Sequence, residues 1–208
     1  MKKGDHLFLV DGSGYIFRAY HALPPLTRKS DGLPVGAVSG FCNMLWKLLS
    51  EARDTSVGVT PTHFAVIFDY SSHTFRNEMY ADYKANRPPM PEDLRLQIEP
   101  LLKIVEAMGV PILREPGVEA DDVIGTLARQ GRAAGLDVVI STSDKDLTQL
   151  VEPGIIWLNT MSGERLDSAG VQAKFGVPPD RIVDYLTLIG DTVDNVPGVE
   201  KVGTKTAV

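Results

Sequence analysis

The chain has 208 residues, of which 43% are hydrophobic and 23% charged, which is enough apolar material for one domain of ordinary size. No apolar run reaches the ~20 residues that span a bilayer, and the first residues lack the apolar stretch of a signal peptide, so we expect a cytoplasmic protein without a membrane partner. The single cysteine, Cys42, excludes an internal disulfide. The formal charge of −6 weighs against a nucleic-acid partner, but nine of the 27 acids are clustered, and removing them leaves 18 acids against 21 basic residues.

Predicted strands and helices alternate along the chain. Short apolar runs predict buried strands, and apolar residues at helical spacing predict helices. The strands are expected at residues 7–10, 64–68, 111–114, 138–141 and 155–158, and the helices at 35–50, 92–108, 120–134, 168–175 and 180–189. Residues 12–14, Gly-Ser-Gly, are expected to form a turn after the first strand. The alternation predicts an α/β fold with a central, mainly parallel sheet flanked by helices.

Nine acidic residues stand at the ends of these elements. Asp11 and Asp69 each follow an apolar strand, and the other seven open the helix at 120, follow the strand at 138–141, or follow the helix that ends before Gly190. Those seven are Glu119, Asp121, Asp122, Asp144, Asp146, Asp191 and Asp194. Because sites in open α/β sheets lie beyond the carboxyl ends of the strands, we expect these side chains to converge there.

The acids allow two interpretations. Taken singly, an Asp after a strand is more often the N-cap of a helix than a ligand, and acids in a first helical turn offset the helix dipole. Taken together, nine converging carboxylates repel one another unless cations neutralise them, and Mg²⁺ or Mn²⁺ are the cations that prefer carboxylate oxygens. Their number favours two ions ~3.5–4 Å apart, an arrangement that hydrolyses phosphodiesters with water as the nucleophile. The histidines, which are scattered, offer no zinc site: His6, His21, His63 and His73.

Six motifs carry a resemblance to a known family. They are LVDGSGYIFRAYH (9–21), FD (68–69), YKANRPPMP (83–91), GVEADD (117–122), TSDKD (142–146) and GDTVDNVPG (190–198). In this order, and over essentially the whole chain, they resemble the 5′-nuclease (flap endonuclease) family. The resemblance implies a PIN-like fold with a helical arch and metal-dependent cleavage of DNA at a 5′ flap or 5′ end, including RNA–DNA primer junctions. It also implies a monomer that works in replication and repair at the bacterial nucleoid, with polymerase domains in the same chain.

The same resemblance divides the acids into two groups. It implies that the inner ions are held chiefly by Asp69, Glu119, Asp121 and Asp144, with Asp11 close by. The remaining four complete the set, some of them through water molecules: Asp122, Asp146, Asp191 and Asp194.

The segment 71–91 has no clean periodicity, and its composition alone favours a solvated charged loop. The resemblance instead makes it the start of the arch, and places Tyr83, Lys84 and Arg87 over the scissile phosphate. Lys84 and Arg87 are then expected to offset charge on the phosphate, and Tyr83 to stack on a base. Arg18, within the first motif, is expected to face the phosphate as well.

The last residues resemble a helix–turn–helix element that grips duplex DNA. Gly198 and Gly203 are expected to let backbone amides approach phosphates, with help from Lys201 and Lys205. The resemblance also implies a K⁺ ion held by backbone carbonyls there. We therefore expect a catalytic domain at 1–190 and, at 191–208, the start of this element, incomplete at Val208.

Three alternatives remain open at this point. A PIN-type RNA nuclease shares the sheet and a smaller acidic set, but is not expected to carry the motif at 83–91 or the hairpin at 198–203. A phosphatase that uses Asp11 as its nucleophile normally carries a second Asp two positions later, where this chain has Ser13. A structure-specific DNA-binding module with an inert pocket would keep the basic residues without needing metal.

Overall fold

The computed structural model describes residues 4–53 and 61–208. The prediction that the chain does not begin with a signal peptide rests partly on residues 1–3, which lie outside the described residues. Six strands in the described residues form one sheet in the order β3-β2-β1-β4-β5-β6. All neighbouring strands are parallel except β5 and β6, which confirms the predicted, mainly parallel sheet. Their bounds are β1 His6–Asp11, β2 His63–Ile67, β3 Ile112–Leu113, β4 Asp137–Ser141, β5 Ile155–Asn159 and β6 Glu164–Leu166.

Helices flank the sheet, largely where the sequence predicts them. They are α1 Gly12–Ala22, α2 Gly36–Arg53, α3 Phe75–Met79, α4 Glu92–Ala107, α5 Ala120–Ala133, α6 Ser168–Phe175, α7 Ile182–Ile189 and α8 Thr204–Ala207. The turn predicted at 12–14 is wrong, because these residues begin α1: the carboxylate of Asp11 accepts a hydrogen bond from Gly14 N at 2.8 Å and caps the helix. The segment 71–91 is partly helical, since it contains α3.

Two apolar cores lie on opposite faces of the sheet. Alternate residues of β1 point to opposite faces, so Phe8 and Val10 pack in one core with α1, α2 and α4, whereas Leu9 packs in the other with α5 and α7. Each large side chain buried in this way stabilises the fold by about 1.5–3 kcal/mol. The result is a three-layer α/β sandwich whose central strands are covered on both faces.

The parallel register fixes where the acids meet. Asp11 at the end of β1 is the register partner of Ile67 at the end of β2, and Val10 is the partner of Ser141 at the end of β4. The loops that carry Asp69 and Asp144 therefore leave the sheet at the same edge as Asp11. Among the described residues, no helix is both long and apolar enough to cross a membrane.

Candidate metal-ion site

Asp11 is the most buried acid of the site, with 5% of its surface exposed. Its Oδ1 accepts the Gly14 amide at 2.8 Å, and its Oδ2 accepts the hydroxyl of Thr142 at 2.7 Å. The same Thr142 hydroxyl accepts the backbone amide of Asp144 at 3.0 Å, so one buried side chain joins the ends of β1 and β4. Burial raises the pKa of Asp11. Sequence reasoning missed Thr142, although its place in the motif TSDKD was a usable signal.

Asp69 joins the end of β2 to the start of α5. Its Oδ1 accepts the backbone amide of Ala120 at 2.8 Å, and its own amide donates to the Ser13 hydroxyl at 2.8 Å. Ser13 occupies the position where the phosphatase alternative needs an Asp, and here its hydroxyl supports the loop that carries Asp69. The loop is therefore fixed from α1 on one side and from α5 on the other.

Asp121 is a largely buried acid whose pKa is affected by the charges of four other acids of the site. Burial and, in decreasing order, the charges of Asp11, Asp144, Asp69 and Glu119 together raise its pKa to about 8. The four acids come from four separate segments of the chain, so the sheet edge does bring them within electrostatic range of one another. A carboxyl group in such a place keeps its proton at neutral pH unless cations neutralise its neighbours.

Asp122, although adjacent to Asp121, faces a cation. Burial opposes its ionisation, but the guanidinium of Arg76 donates two hydrogen bonds to its carboxylate, at 2.6 and 2.7 Å, and the pKa of Asp122 is lowered. Asp122 also accepts the amide of Glu119 at 2.9 Å, so it takes part in capping α5. The capping interpretation therefore applies to Asp122. Arg76 was not among the predicted site residues.

Lys145 connects two further acids. Its ammonium group lies 3.1 Å from Asp146 Oδ1 and 2.5 Å from Asp191 Oδ2. Burial opposes ionisation of Asp191, but Lys145 lowers the pKa of that carboxyl group, whereas burial and the charge of Asp144 raise the pKa of Asp146. Sequence reasoning passed over Lys145 even though it lies between two of the predicted acids.

The segment expected to form the arch lies against the acids. Lys84 Nζ is 2.8 Å from Glu119 Oε1 and 3.8 Å from Asp194 Oδ2, and Arg87 pairs with Asp194 Oδ1. The hydroxyl of Tyr83 donates to Glu119 and Asp194, at 3.1 Å in each case. Burial and these two negative charges raise the pKa of Tyr83. The structure therefore brings all three predicted arch residues to the acidic edge.

The acids do not form a ready-made cage in this conformation. Within residues 4–53 and 61–208, no three His, Cys, Asp or Glu side chains are placed so that they hold one metal ion. Cationic side chains instead pair with Glu119 and with three of the outer acids: Arg76, Lys84, Arg87 and Lys145. The donor set still fits hard divalent cations, because buried Asp121 and its neighbours are all carboxylates that repel one another.

The remaining predicted residues lie outside this cluster. Arg18 is exposed on α1, and in the described part of the chain no hydrogen bond or ion pair joins it to the acids. Gly198 packs against the backbone at the end of α7, where a Cβ would meet a carbonyl carbon at 2.4 Å, whereas a Cβ on Gly203 would meet open space. Lys201 and Lys205 are exposed. The close backbone contact of Gly198 is therefore with the end of α7 in the same chain.

Comparison with known proteins supports the fold and the family. The model of the 5′-3′ exonuclease N-terminal resolvase-like domain matches residues 6–176, and that of the 5′-3′ exonuclease C-terminal SAM fold matches residues 177–208. DNA polymerase I of Rhizobium leguminosarum is 58% identical over 207 residues, which cover 100% of this chain and 20% of that protein. A 5′-3′ exonuclease of Aquifex aeolicus is 44% identical over 202 residues, covering 97% of this chain and 67% of the relative.

Solved structures show the same fold at lower identity. The T5 5′-exonuclease with bound zinc ions has a TM-score of 0.76 at 22% identity, covering 97% of this chain and 73% of that one. The catalytic core of Rad2 in complex with DNA has a TM-score of 0.55 at 15% identity, covering 98% and 60%. The chain spans only about a fifth of the length of the DNA polymerase I relatives. Both family models and the shared sheet agree with the motifs, so the chain belongs to the 5′-3′ exonuclease family.

Proposed function

We propose that the chain is the nuclease part of a bacterial DNA polymerase I and that it hydrolyses DNA phosphodiesters at a 5′ flap or a 5′ end. The observation that carries the proposal is the placement of Tyr83, Lys84 and Arg87 directly against the acids at the sheet edge. A nuclease needs both halves of this arrangement, since the carboxylates hold cations and the basic side chains face the phosphate. In this proposal the nuclease removes RNA primers and takes part in DNA repair, and polymerase domains in the same chain fill the gap that it leaves.

The inner acids are the ones that would hold Mg²⁺ or Mn²⁺. Asp11, Asp69, Glu119, Asp121 and Asp144 leave adjacent strand ends or open α5 at the same edge. When bound, the ions supply activation of a water molecule and stabilisation of the leaving oxygen. The outer acids would contribute through water molecules or hold a second ion: Asp122, Asp146, Asp191 and Asp194.

The basic segment acts on the phosphate. Its ammonium and guanidinium groups, on Lys84 and Arg87, now neutralise Glu119 and Asp194. Once those acids are otherwise neutralised, the two cations are free to offset the charge that develops on the phosphate, while Tyr83 stacks on the adjacent base. Arg18 approaches the same phosphate from α1.

The carboxyl-terminal residues extend the contact to duplex DNA. Lys201 and Lys205 are exposed and offer positive charge to phosphates, while the backbone near Gly198 and Gly203 supplies amides and, through its carbonyls, a K⁺ site. Such contacts add affinity and salt dependence without reading sequence.

Cleavage of a 5′-flap DNA under single-turnover conditions tests the proposal, using the full-length protein with Mg²⁺ and with excess chelator. We expect cleavage that chelator abolishes, and a fall of about 10²–10³ in rate for Lys84→Ala, as for loss of one transition-state electrostatic contact. Lys103→Ala, which removes the same charge from a pair within α4, is the control and is expected to cleave normally. Full activity in chelator, or a normal rate for Lys84→Ala, would overturn the proposal. Preferential cleavage of single-stranded RNA would favour the PIN-type alternative.

A further inference from the structure

Two segments of the chain that are more than a hundred positions apart are joined by hydrogen bonds that do not use the acidic side chains. We call residues 80–87 and 191–195, with the bonds between them, the clasp. Side-chain amides make bonds in both directions across it: Asn195 Nδ2 donates to the carbonyl of Asp82 at 2.8 Å, and Asn86 Nδ2 donates to the carbonyl of Thr192 at 2.8 Å. Further bonds run from Lys84 N to Asp194 O at 2.9 Å, from Tyr80 OH to Asn195 O at 3.3 Å and from Arg87 Nε to Val193 O at 3.3 Å.

The backbone on both sides of the clasp has an unusual conformation. Lys84 has φ 55° and Asn195 has φ 58°, in the left-handed region that residues other than glycine seldom adopt. Asparagine tolerates this region because its short side chain bonds locally, but a lysine has no such compensation. The surrounding contacts must therefore hold Lys84 in place, and the clasp supplies the bond to its backbone amide.

The clasp lies where it decides the position of the basic side chains. Lys84 and Arg87 are both part of it, and both reach from it to Glu119 or Asp194. Their ion pairs must open for the cations to meet a phosphate, so these pairs alone do not keep the segment over the site. The side-chain amides of Asn86 and Asn195 donate only to backbone carbonyls, so opening the ion pairs does not remove their acceptors.

We propose that Asn195, with Asn86 opposite it, is a positioning residue of the nuclease site. The two side-chain amides hold residues 80–87 against residues 191–195. The backbone of Lys84 and Arg87 therefore stays over the acids while their side chains leave the carboxylates and bind the phosphate. The proposal rests on the proposed function. It assigns Asn195 no contact with DNA. Its effect on the reaction runs chiefly through Lys84 and Arg87.

Two substitutions at Asn195 isolate the donated bond. Asn195→Gly keeps the left-handed conformation without strain and removes the side chain. Asn195→Asp keeps the size of the side chain and its tolerance of this conformation, but replaces the donor by an acceptor. Asn86→Ala breaks the clasp from the other side, and because Asn86 is exposed this change leaves the cores intact.

The experiment is single-turnover cleavage of a 5′-flap DNA by the full-length protein at saturating enzyme, with a binding titration and a melting curve for each variant. Loss of one net hydrogen bond corresponds to roughly 3- to 10-fold in rate, and we expect a fall of this size for each of the three variants. DNA affinity is expected to stay within about twofold of the unmodified protein, because a positioning residue alters the rate and leaves binding intact. The melting temperature is expected to fall by at most a few degrees, as for loss of one hydrogen bond.

The decisive comparison repeats Asn195→Gly and Asn86→Ala in a chain that already carries Lys84→Ala and Arg87→Ala. We expect a much smaller further loss of rate there, because the two cations that the clasp positions are absent and only Tyr83 remains. The same fold-loss in both backgrounds would overturn the proposal, as would normal rates for all three single variants. If the unmodified protein fails to cleave the flap, the proposed function falls and this inference falls with it, an outcome distinct from an active protein that tolerates loss of the clasp.

Discussion

Replacing Lys84 by alanine is expected to change metal affinity and cleavage rate in opposite directions. In the structure Lys84 acts as a counter-ion for Glu119, with its ammonium group 2.8 Å from Oε1, and it lies 3.8 Å from Asp194. A divalent cation that binds Glu119 must displace this ammonium group. Removing Lys84 therefore removes a competitor, although it also removes the side chain proposed to act on the phosphate.

The size of the effect follows from the geometry of the Lys84–Glu119 pair. A hydrogen bond between charged groups contributes about 1.5–3 kcal/mol. The side chains of Lys84 and Glu119 are 25% and 12% exposed, so solvent and salt screen the pair in part and favour the lower end of that range. Since 1.4 kcal/mol is a factor of ten in an equilibrium constant, Lys84→Ala is expected to bind the ion about tenfold more tightly.

Calorimetric titration with Mn²⁺ in the absence of DNA measures this affinity without any catalytic readout. Lys103→Ala is the matched control, because it removes the same charge from a pair with Glu99 on α4 and tests for a general effect of net charge. We expect tighter binding for Lys84→Ala and unchanged binding for Lys103→Ala. Equal or weaker binding by Lys84→Ala would refute the idea that this lysine competes with metal.

Three further outcomes are expected. Folding raises the pKa of Asp121 from 3.8 to about 8, so between these pH values the folded chain holds a proton that the unfolded chain releases. The melting temperature of the metal-free protein should therefore fall as the pH rises from 3.8 to about 8, relative to that of Asp121→Asn. Parallel profiles of melting temperature against pH for the two proteins would contradict this prediction. Asp144→Ala should abolish single-turnover cleavage with DNA binding largely intact, whereas Asp194→Ala, at an outer position, should retain a measurable rate, and equal losses would refute this division. Thr142→Val should weaken Mn²⁺ binding and lower the free energy of unfolding by about 1–3 kcal/mol, because it leaves Asp11 Oδ2 without a donor and the Asp144 amide without its acceptor. Thr142→Ser should restore both, and failure of the serine would show that the hydroxyl is not responsible.

The periodicity of the sequence was enough to predict the layers of the fold. Apolar runs marked five of the six strands in the described residues, and helical stripes marked α2, α4 and α5 within a few residues. The prediction worked there because long, buried elements carry a strong pattern of apolar residues. It missed β6, which has only three residues, and it missed α1, because the glycines at 12 and 14 resemble a turn while the capping bond from Asp11 depends on side-chain geometry.

The positions of the acids along the chain also predicted their meeting at one edge of the sheet. Parallel strands end at a common edge, so an acid after each strand needs no further information to be brought near the others. The motifs added the family, which the comparisons confirm. Two of the basic residues that pair with the acids, Arg76 and Lys145, were not predicted, because neither belongs to a periodic pattern in the sequence.

Only the tertiary structure decided the direction in which the pKa values of Asp121 and Asp122 shift. Asp121 and Asp122 are adjacent in the sequence and both open α5, yet their pKa values shift in opposite directions. Successive residues of a helix point about 100° apart, so one side chain faces the buried acids while the other meets Arg76. That arginine is 46 positions away from Asp122 along the chain, and the contact exists only because α3 packs beside the start of α5, through a backbone bridge between Thr74 and Gly117. Charge depends on what surrounds a group in space, and no local pattern in the sequence carries that information.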